Sequence, residues 1–227
     1  ETDNLTIGGA QGSDGQVLTS TGSGVGWEDA SGGGSSVTFK EAGTNFANSI
    51  MVGDDSTGTL SSATGNTALG IDVFAALTSG TDNVAVGFNA LPALTTGTLN
   101  TGIGKDALQG VTTALYSTAL GANAGSAITT GNGNTAIGAN TMTSGTTAAN
   151  NTIVGTHAAT AMTDGIGNTI SGTVSAIALT TGDYNNTLGY GAGYAITTGD
   201  ENICIGNSAA LALTTGSDNI AIGSNAL

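Results

Sequence analysis

One five-residue phrase recurs along this chain at a fixed interval of 17 residues. It reads Asn66-Thr-Ala-Leu-Gly70, then Asn83-Val-Ala-Val-Gly87, then Asn100-Thr-Gly-Ile-Gly104, and continues to Asn219-Ile-Ala-Ile-Gly223. Its first position is occupied by Asn66, Asn83, Asn100, Ser117, Asn134, Asn151, Asn168, Asn185, Asn202 and Asn219, with Ser49 one step earlier. Its fifth position is always glycine: Gly53, Gly70, Gly87, Gly104, Gly121, Gly138, Gly155, Gly172, Gly189, Gly206 and Gly223. Nothing is inserted or deleted between Ser49 and Leu227. Surface loops of ordinary domains tolerate insertions, so a period this strict points to repeats that stack on one another.

The remainder of each repeat is constrained as well. Eleven residues after the Asn stands an apolar residue, as at Leu77, Leu94, Val111, Ile128, Met162, Leu179, Ile196 and Leu213. A Thr pair usually follows, as at Thr95-Thr96 and Thr180-Thr181, and then a glycine such as Gly97 or Gly182. Alternating β-branched residues in Asn-Thr-Ala-Ile-Gly favour a strand, and the glycine after it can turn the chain at positive φ. The Gly-x-x-Asn segment reads as a second turn, because both residue types tolerate left-handed geometry. Gly, Thr and Asn recur too densely for a sustained helix. The predicted fold is therefore all-β: a parallel β-solenoid, or β-roll, of 17-residue coils with two short strands per coil. One such coil has no adequate core, and stacked coils share one.

Within the strand, the second and fourth positions face one way and the third the other. The fourth is Leu, Val or Ile except at Ser171, and the third is mostly Ala or Gly. The bulkier face is expected to fill the coil, leaving the small face, with Ala85, Ala136 and Ala221, against another chain. The Asn column is read as a turn and a ladder of side-chain amides; contact with a ligand or metal is the alternative reading.

Composition narrows the function. Net charge is −14, with two Lys and no Arg. Phosphate-backbone binding needs basic residues, so no nucleic-acid partner is expected. No stretch approaches the ~20 apolar residues of a membrane helix, so no membrane insertion is expected. Residues 1–36 read as a Gly/Ser-rich connector with short strands near Leu5-Thr6-Ile7 and Gln16-Val17-Leu18-Thr19, anchored by Trp27 and ending in the linker Gly32-Gly33-Gly34-Ser35-Ser36. Residues 37–65 read as a transition and a first irregular coil, with a strand at Val37-Thr38-Phe39-Lys40, and residues 66–227 as ten repeats, the last incomplete. The start at Glu1 and the stop part-way through a repeat suggest a piece of something longer.

No convergent catalytic cluster is visible, so no enzyme and no cofactor are expected. His157, the one histidine, reads as a surface turn residue. Gly102-Ile103-Gly104 and similar pairs lack the strand-to-helix setting of a dinucleotide site. Asp200, Glu201 and Asp218 fall in successive Gly-x-x-Asn turns and are a weak candidate for Ca²⁺; solvated turn charges are the competing reading. Cys204 reads as a small buried thiol. The Thr pairs raise an ice-binding reading, but adjacent strand residues face opposite sides, which leaves one outward Thr per coil.

The Asn-Thr-Ala-Ile-Gly phrase with its Gly-x-x-Asn return resembles the head repeats of trimeric autotransporter adhesins. The longer form, with Ala-Leu before Thr-Thr-Gly, resembles the shafts of bacteriophage tail fibres and tailspikes. Gly12-Ser13-Asp14-Gly15-Gln16-Val17-Leu18-Thr19-Ser20, continuing to Gly24-Val25-Gly26-Trp27, is similar to a connector of such fibres. The resemblance implies a left-handed coil in each of three chains packed about a threefold axis, that is, a homotrimeric shaft on a virion tail. It further implies partner appendage proteins on the N-terminal side and a host cell-surface receptor at the distal end. A bacterial surface adhesin or filament is the alternative.

Overall fold

A computed structural model of the chain describes residues 48–53 and 57–227 with their side chains, and within residues 6–47 the backbone of six short strands. The linker Gly32–Ser36 and the side chain of Trp27 lie outside the described residues. The chain divides into two units, Glu1–Val37 and Thr38–Leu227. In the first, β1 (Thr6–Ile7) pairs antiparallel with β2 (Ala10–Gln11), and β3 (Gln16–Ser20) with β4 (Val25–Asp29).

The second unit is a solenoid. Its strands are β5 (Thr38–Lys40), β6 (Phe46–Ala47), β7 (Ile50–Gly53), β8 (Ala63–Thr64) and β9 (Thr67–Gly70). One strand per coil follows: β10 (Val84–Val86), β11 (Thr101–Ile103), β12 (Thr118–Leu120), β13 (Thr135–Ile137) and β14 (Thr152–Val154). The last four are β15 (Thr169–Ser171), β16 (Asn186–Leu188), β17 (Ile203–Ile205) and β18 (Ile220–Ile222). A single 12-stranded sheet runs in the order β18-β17-β16-β15-β14-β13-β12-β11-β10-β9-β7-β5. All neighbours pair parallel except β5, which pairs antiparallel with β7. Each residue pairs with its equivalent one coil on, as Ala85 with Ala68 and Gly102. At ~4.8 Å per step the parallel strands cover roughly 50 Å.

From β9 onward each coil has one strand, not two: apart from the isolated bridge between Ala149 and Ile166, the second half of the coil is turn backbone. The seventh and ninth positions both sit in left-handed conformation, for example Asn89 (φ 56) with Leu91 (φ 52), and Asp106 (φ 56) with Leu108 (φ 51). Alternating hands give a tight bend that cannot pair as a strand, yet its amides still bond to neighbouring coils, as Leu91 N–H to Ala107 O at 3.1 Å. The Gly-x-x-Asn turn also differs from expectation. Its left-handed residue is the one just before the Asn, whatever its type: Asp82 (φ 58), Leu99 (φ 59), Tyr116 (φ 59), Tyr184 (φ 55). The glycine of that segment is there for space: a Cβ on Gly97 would lie 2.4 Å from Ala114 O.

The facing of the strand is the reverse of the one expected. The small third position points into the coil: Ala68, Ala85, Ala119, Ala136 and Ala221 are buried, and the larger fourth position points out. The reason is cross-section. The eighth, ninth and twelfth positions already project inward from the opposite wall, and the strand supplies only what fills the remainder. Where the ninth residue is large, as Phe74, Leu91, Leu108 or Met142, the third is Ala or Gly (Ala68, Ala85, Gly102, Ala136). Where the third is Ile153 or Ile170, the ninth shrinks to Ala159 or Ala176. A Cβ on Gly102 would already lie 3.2 Å from Leu91 Cδ1. Interiors packed to near-crystal density leave no slack for both to be large.

Candidate functional site

The inversion leaves a broad apolar surface outside the coil. Leu69, Ile103, Leu120, Val154, Leu188, Ile205 and Ile222 are exposed at the fourth position, with Leu188 53% and Ile222 65% exposed. The second position flanks them with Thr67, Val84, Thr101, Thr118 and Thr135, ending in Ile203 and Ile220. No residue at either position, from β7 to β18, is charged. The described acids and Lys105 all lie on other rows of the coil. A band roughly 50 Å long and one short strand wide, ~10 Å, covers on the order of 500 Å², which is at the upper end for a surface patch on a solitary chain. Ala85, Ala136 and Ala221, expected at a contact with another chain, line the coil's own core. The sequence held a signal for this in the volume exchange between the third and ninth positions, which only residues sharing an interior would show.

The predicted Asn column is a buried ladder. Each Asn Oδ1 accepts two bonds from the next Asn, one from its backbone N–H and one from its Nδ2: for Asn185 these come from Asn202 at 3.0 and 2.9 Å. From Asn66 to Asn202 each Nδ2 also reaches across its own coil to close it, as Asn185 to Gly199 O at 2.8 Å and Asn83 to Gly97 O at 3.0 Å. The column runs through Asn66, Asn83, Asn100, Asn134, Asn151, Asn168 and Asn202, all buried, to the partly buried Asn219. Ser49 starts it by accepting the Asn66 N–H at 2.8 Å. At Ser117 the ladder stretches: its Oγ is 3.5 Å from Gly131 O and 3.4 Å from Asn134 N. An amide so fully bonded has nothing left for a ligand.

The fifth-position glycines stack over one another with φ between 124° at Gly223 and 145° at Gly172. Most have no room for a side chain: a Cβ on Gly155 would lie 2.3 Å from Gly172 O.

The remaining candidates are dispersed. Among the described residues no three His, Cys, Asp or Glu side chains gather into a group that could hold a metal ion, so Asp200, Glu201 and Asp218 are not brought together as a site. Asp200 Oδ1 instead accepts the Asp183 N–H at 2.8 Å, and Asp183 Oδ1 the Ile166 N–H at 2.7 Å, so these carboxylates tie adjacent turns. Asp106 pairs with Lys105 and accepts Asn89 Nδ2 at 2.6 Å. The Lys105 bond first, then that from Asn89, hold its carboxyl below the ordinary value. His157 is exposed with φ 56. Cys204 is buried at the third position, and burial pushes its thiol up to about 11. The first Thr of most pairs bonds to the backbone one coil on, as Thr180 Oγ1 to Thr197 O at 3.1 Å. The second, at Thr96, Thr113, Thr130, Thr181 and Thr198, is exposed, a single outward rank.

Stacked 17-residue coils with a shared core and in-register parallel strands place the chain in the class of β-solenoid repeat proteins. Compared with protein families, curated proteins and solved structures, the chain matches none.

Proposed function

We propose that this chain is a structural shaft segment that self-associates through its outward strand face, three copies around a common axis, in an extracellular fibre. The carrying observation is that face: uncharged from β7 to β18, and Leu, Val or Ile at the fourth position of every stacked strand but β15, on a chain of net charge −14. Like-charged copies repel wherever acids meet, and this surface lets them meet without such contacts. Packing it against copies of itself removes the exposed Leu, Val and Ile from water. The threefold arrangement and the setting on a viral tail, where the shaft holds a receptor-binding tip away from the particle, come from the resemblance of the Asn-Thr-Ala-Ile-Gly repeat to tail-fibre shafts. A bacterial surface adhesin is the alternative setting for the same rod.

Sedimentation equilibrium tests the reading. A trimer has three times the 21.7 kDa chain mass. Ile137→Asp, which puts a charge on the outward face, should release single folded rods, while Thr130→Asp on the exposed Thr rank should leave the mass unchanged. A parent protein that sediments as a single chain at high concentration overturns the proposal.

A further inference from the structure

The outward face carries one interruption. At its fourth position every strand from β7 to β18 that contributes to the parallel stack has Leu, Val or Ile, except β15, which has Ser171. At its second position every such strand has Thr, Val or Ile, except β16, which has Asn186. The two strands are neighbours, with Ser171 opposite Leu188 and Thr169 opposite Asn186. Ser171 is half-buried, and its hydroxyl has no hydrogen-bond partner among the described residues. Asn186 is exposed; its Nδ2 reaches Tyr184 O at 3.4 Å and its Oδ1 has no partner among them. Together they form a polar notch in an otherwise aliphatic and Thr-lined band.

We propose that this notch sets the axial register and polarity in which copies of this chain pack face to face. The inference rests on the self-association reading above and names what makes that association specific. A second copy is the occupant because its rows have the same spacing, ~4.8 Å per coil, along the whole band, and because an uncharged face suits a partner of like net charge. The same regularity creates a difficulty. Sliding one copy by a coil returns Leu, Val and Ile to equivalent neighbours almost everywhere, so apolar packing scarcely distinguishes one register from another. Weakly specified registers slip unless a residue marks them.

Ser171 and Asn186 supply that mark. In the aligned parallel register Ser171 meets Ser171 and Asn186 meets Asn186, and each side chain both donates and accepts. A slip of one coil drives the Ser171 hydroxyl against Val154 or Leu188, where it is covered without a partner. Reversing one copy end for end fails as well. β15 is the fourth strand from the C-terminal end of the parallel stack and β11 the fourth from its N-terminal end, so Ser171 would face Ile103. A buried polar position that fixes register in this way is well attested in helical assemblies.

The test uses the full chain with Cys204, its one native cysteine, replaced by Ala, so that each variant carries a single reporter cysteine. Leu120→Cys and Val154→Cys stand on the same row two coils apart, ~10 Å, beyond the span of a disulfide unless one copy has slipped. The two variants are unfolded, mixed, refolded together and mildly oxidised, and the disulfides are counted by mass spectrometry. Same-site links should dominate. Adding Ser171→Ile to both chains should raise the 120–154 link roughly tenfold, the bias one covered, unpaired hydroxyl confers, while Ser171→Thr should keep the parent pattern. Ser171→Val repeats the measurement if the Ile variant aggregates. Unchanged links in Ser171→Ile and Ser171→Val, with the assembled mass intact, overturn the inference and leave the self-association reading standing. A single-chain mass for the parent removes both.

Discussion

Replacing Asn185 by Ala removes one rung of the buried ladder, and the structure says which groups are left without partners. Asn185 Nδ2 donates to Gly199 O at 2.8 Å, and its Oδ1 accepts the Asn202 N–H at 3.0 Å. Neither backbone group has another partner among the described residues. The other two bonds matter less. Asn168 Oδ1 keeps the backbone N–H of residue 185 at 2.9 Å, and Asn202 Nδ2 keeps Gly216 O at 2.9 Å. Two orphaned backbone groups at about 1–3 kcal/mol each give a loss of about 2–6 kcal/mol. For a unit of this size that is a fall of roughly 4–24 °C in the thermal midpoint. Because coils contact only their neighbours, the damage should centre on the junction between the coils of Asn185 and Asn202. Amide hydrogen exchange then shows Asn202 N–H losing protection first. Asn185→Ser should fall between parent and Ala, since Ser117 makes the corresponding bonds at 3.4 and 3.5 Å. Thr181→Ala, exposed on the same coil, is the control, with a change within ~0.5 kcal/mol. A midpoint within about 2 °C of the parent, with Asn202 still protected, would falsify the claim that the amide column holds the coils closed.

Gly155→Val combines a β-branched residue at φ 144 with a Cβ 2.3 Å from Gly172 O; a loss of about 4 kcal/mol or more is expected, and a melt like the parent's would mean the stack can open there freely. Val174 sits at φ 50, an outlier for a β-branched residue. Val174→Asn, the residue type found at Asn123 and Asn140 in the same row, should therefore stabilise by about 1 kcal/mol in chemical denaturation, and a neutral or negative change counts against left-handed strain there. Cys204 should resist a thiol reagent in the native protein and react on unfolding. Its folded thiol holds its proton above the ordinary 9.0, up to about 11. Unfolding therefore releases a proton in that window, and stability present below it is lost as pH rises through it. Cys204→Ala should lack this increment of alkaline loss; identical pH profiles would refute the burial argument.

The architecture was legible in the chain because stacking is a one-dimensional constraint. A period of 17 residues with invariant Gly and near-invariant Asn can be satisfied only if equivalent residues lie over one another, so the parallel register, the ladder and the glycine column followed from spacing alone. What spacing does not carry is which way a strand faces. Alternation separates Ala136 from Ile137 but assigns neither to the interior. That choice belongs to the cross-section of the coil: Met142 enters from the opposite wall, so the strand contributes Ala136 and turns Ile137 outward. The left-handed conformations of Leu91, Leu99 and Tyr116 were equally hidden, because none of these residue types favours that geometry. They adopt it because backbone hydrogen bonds from the neighbouring coils hold the turn, a constraint that exists only once the coils have stacked.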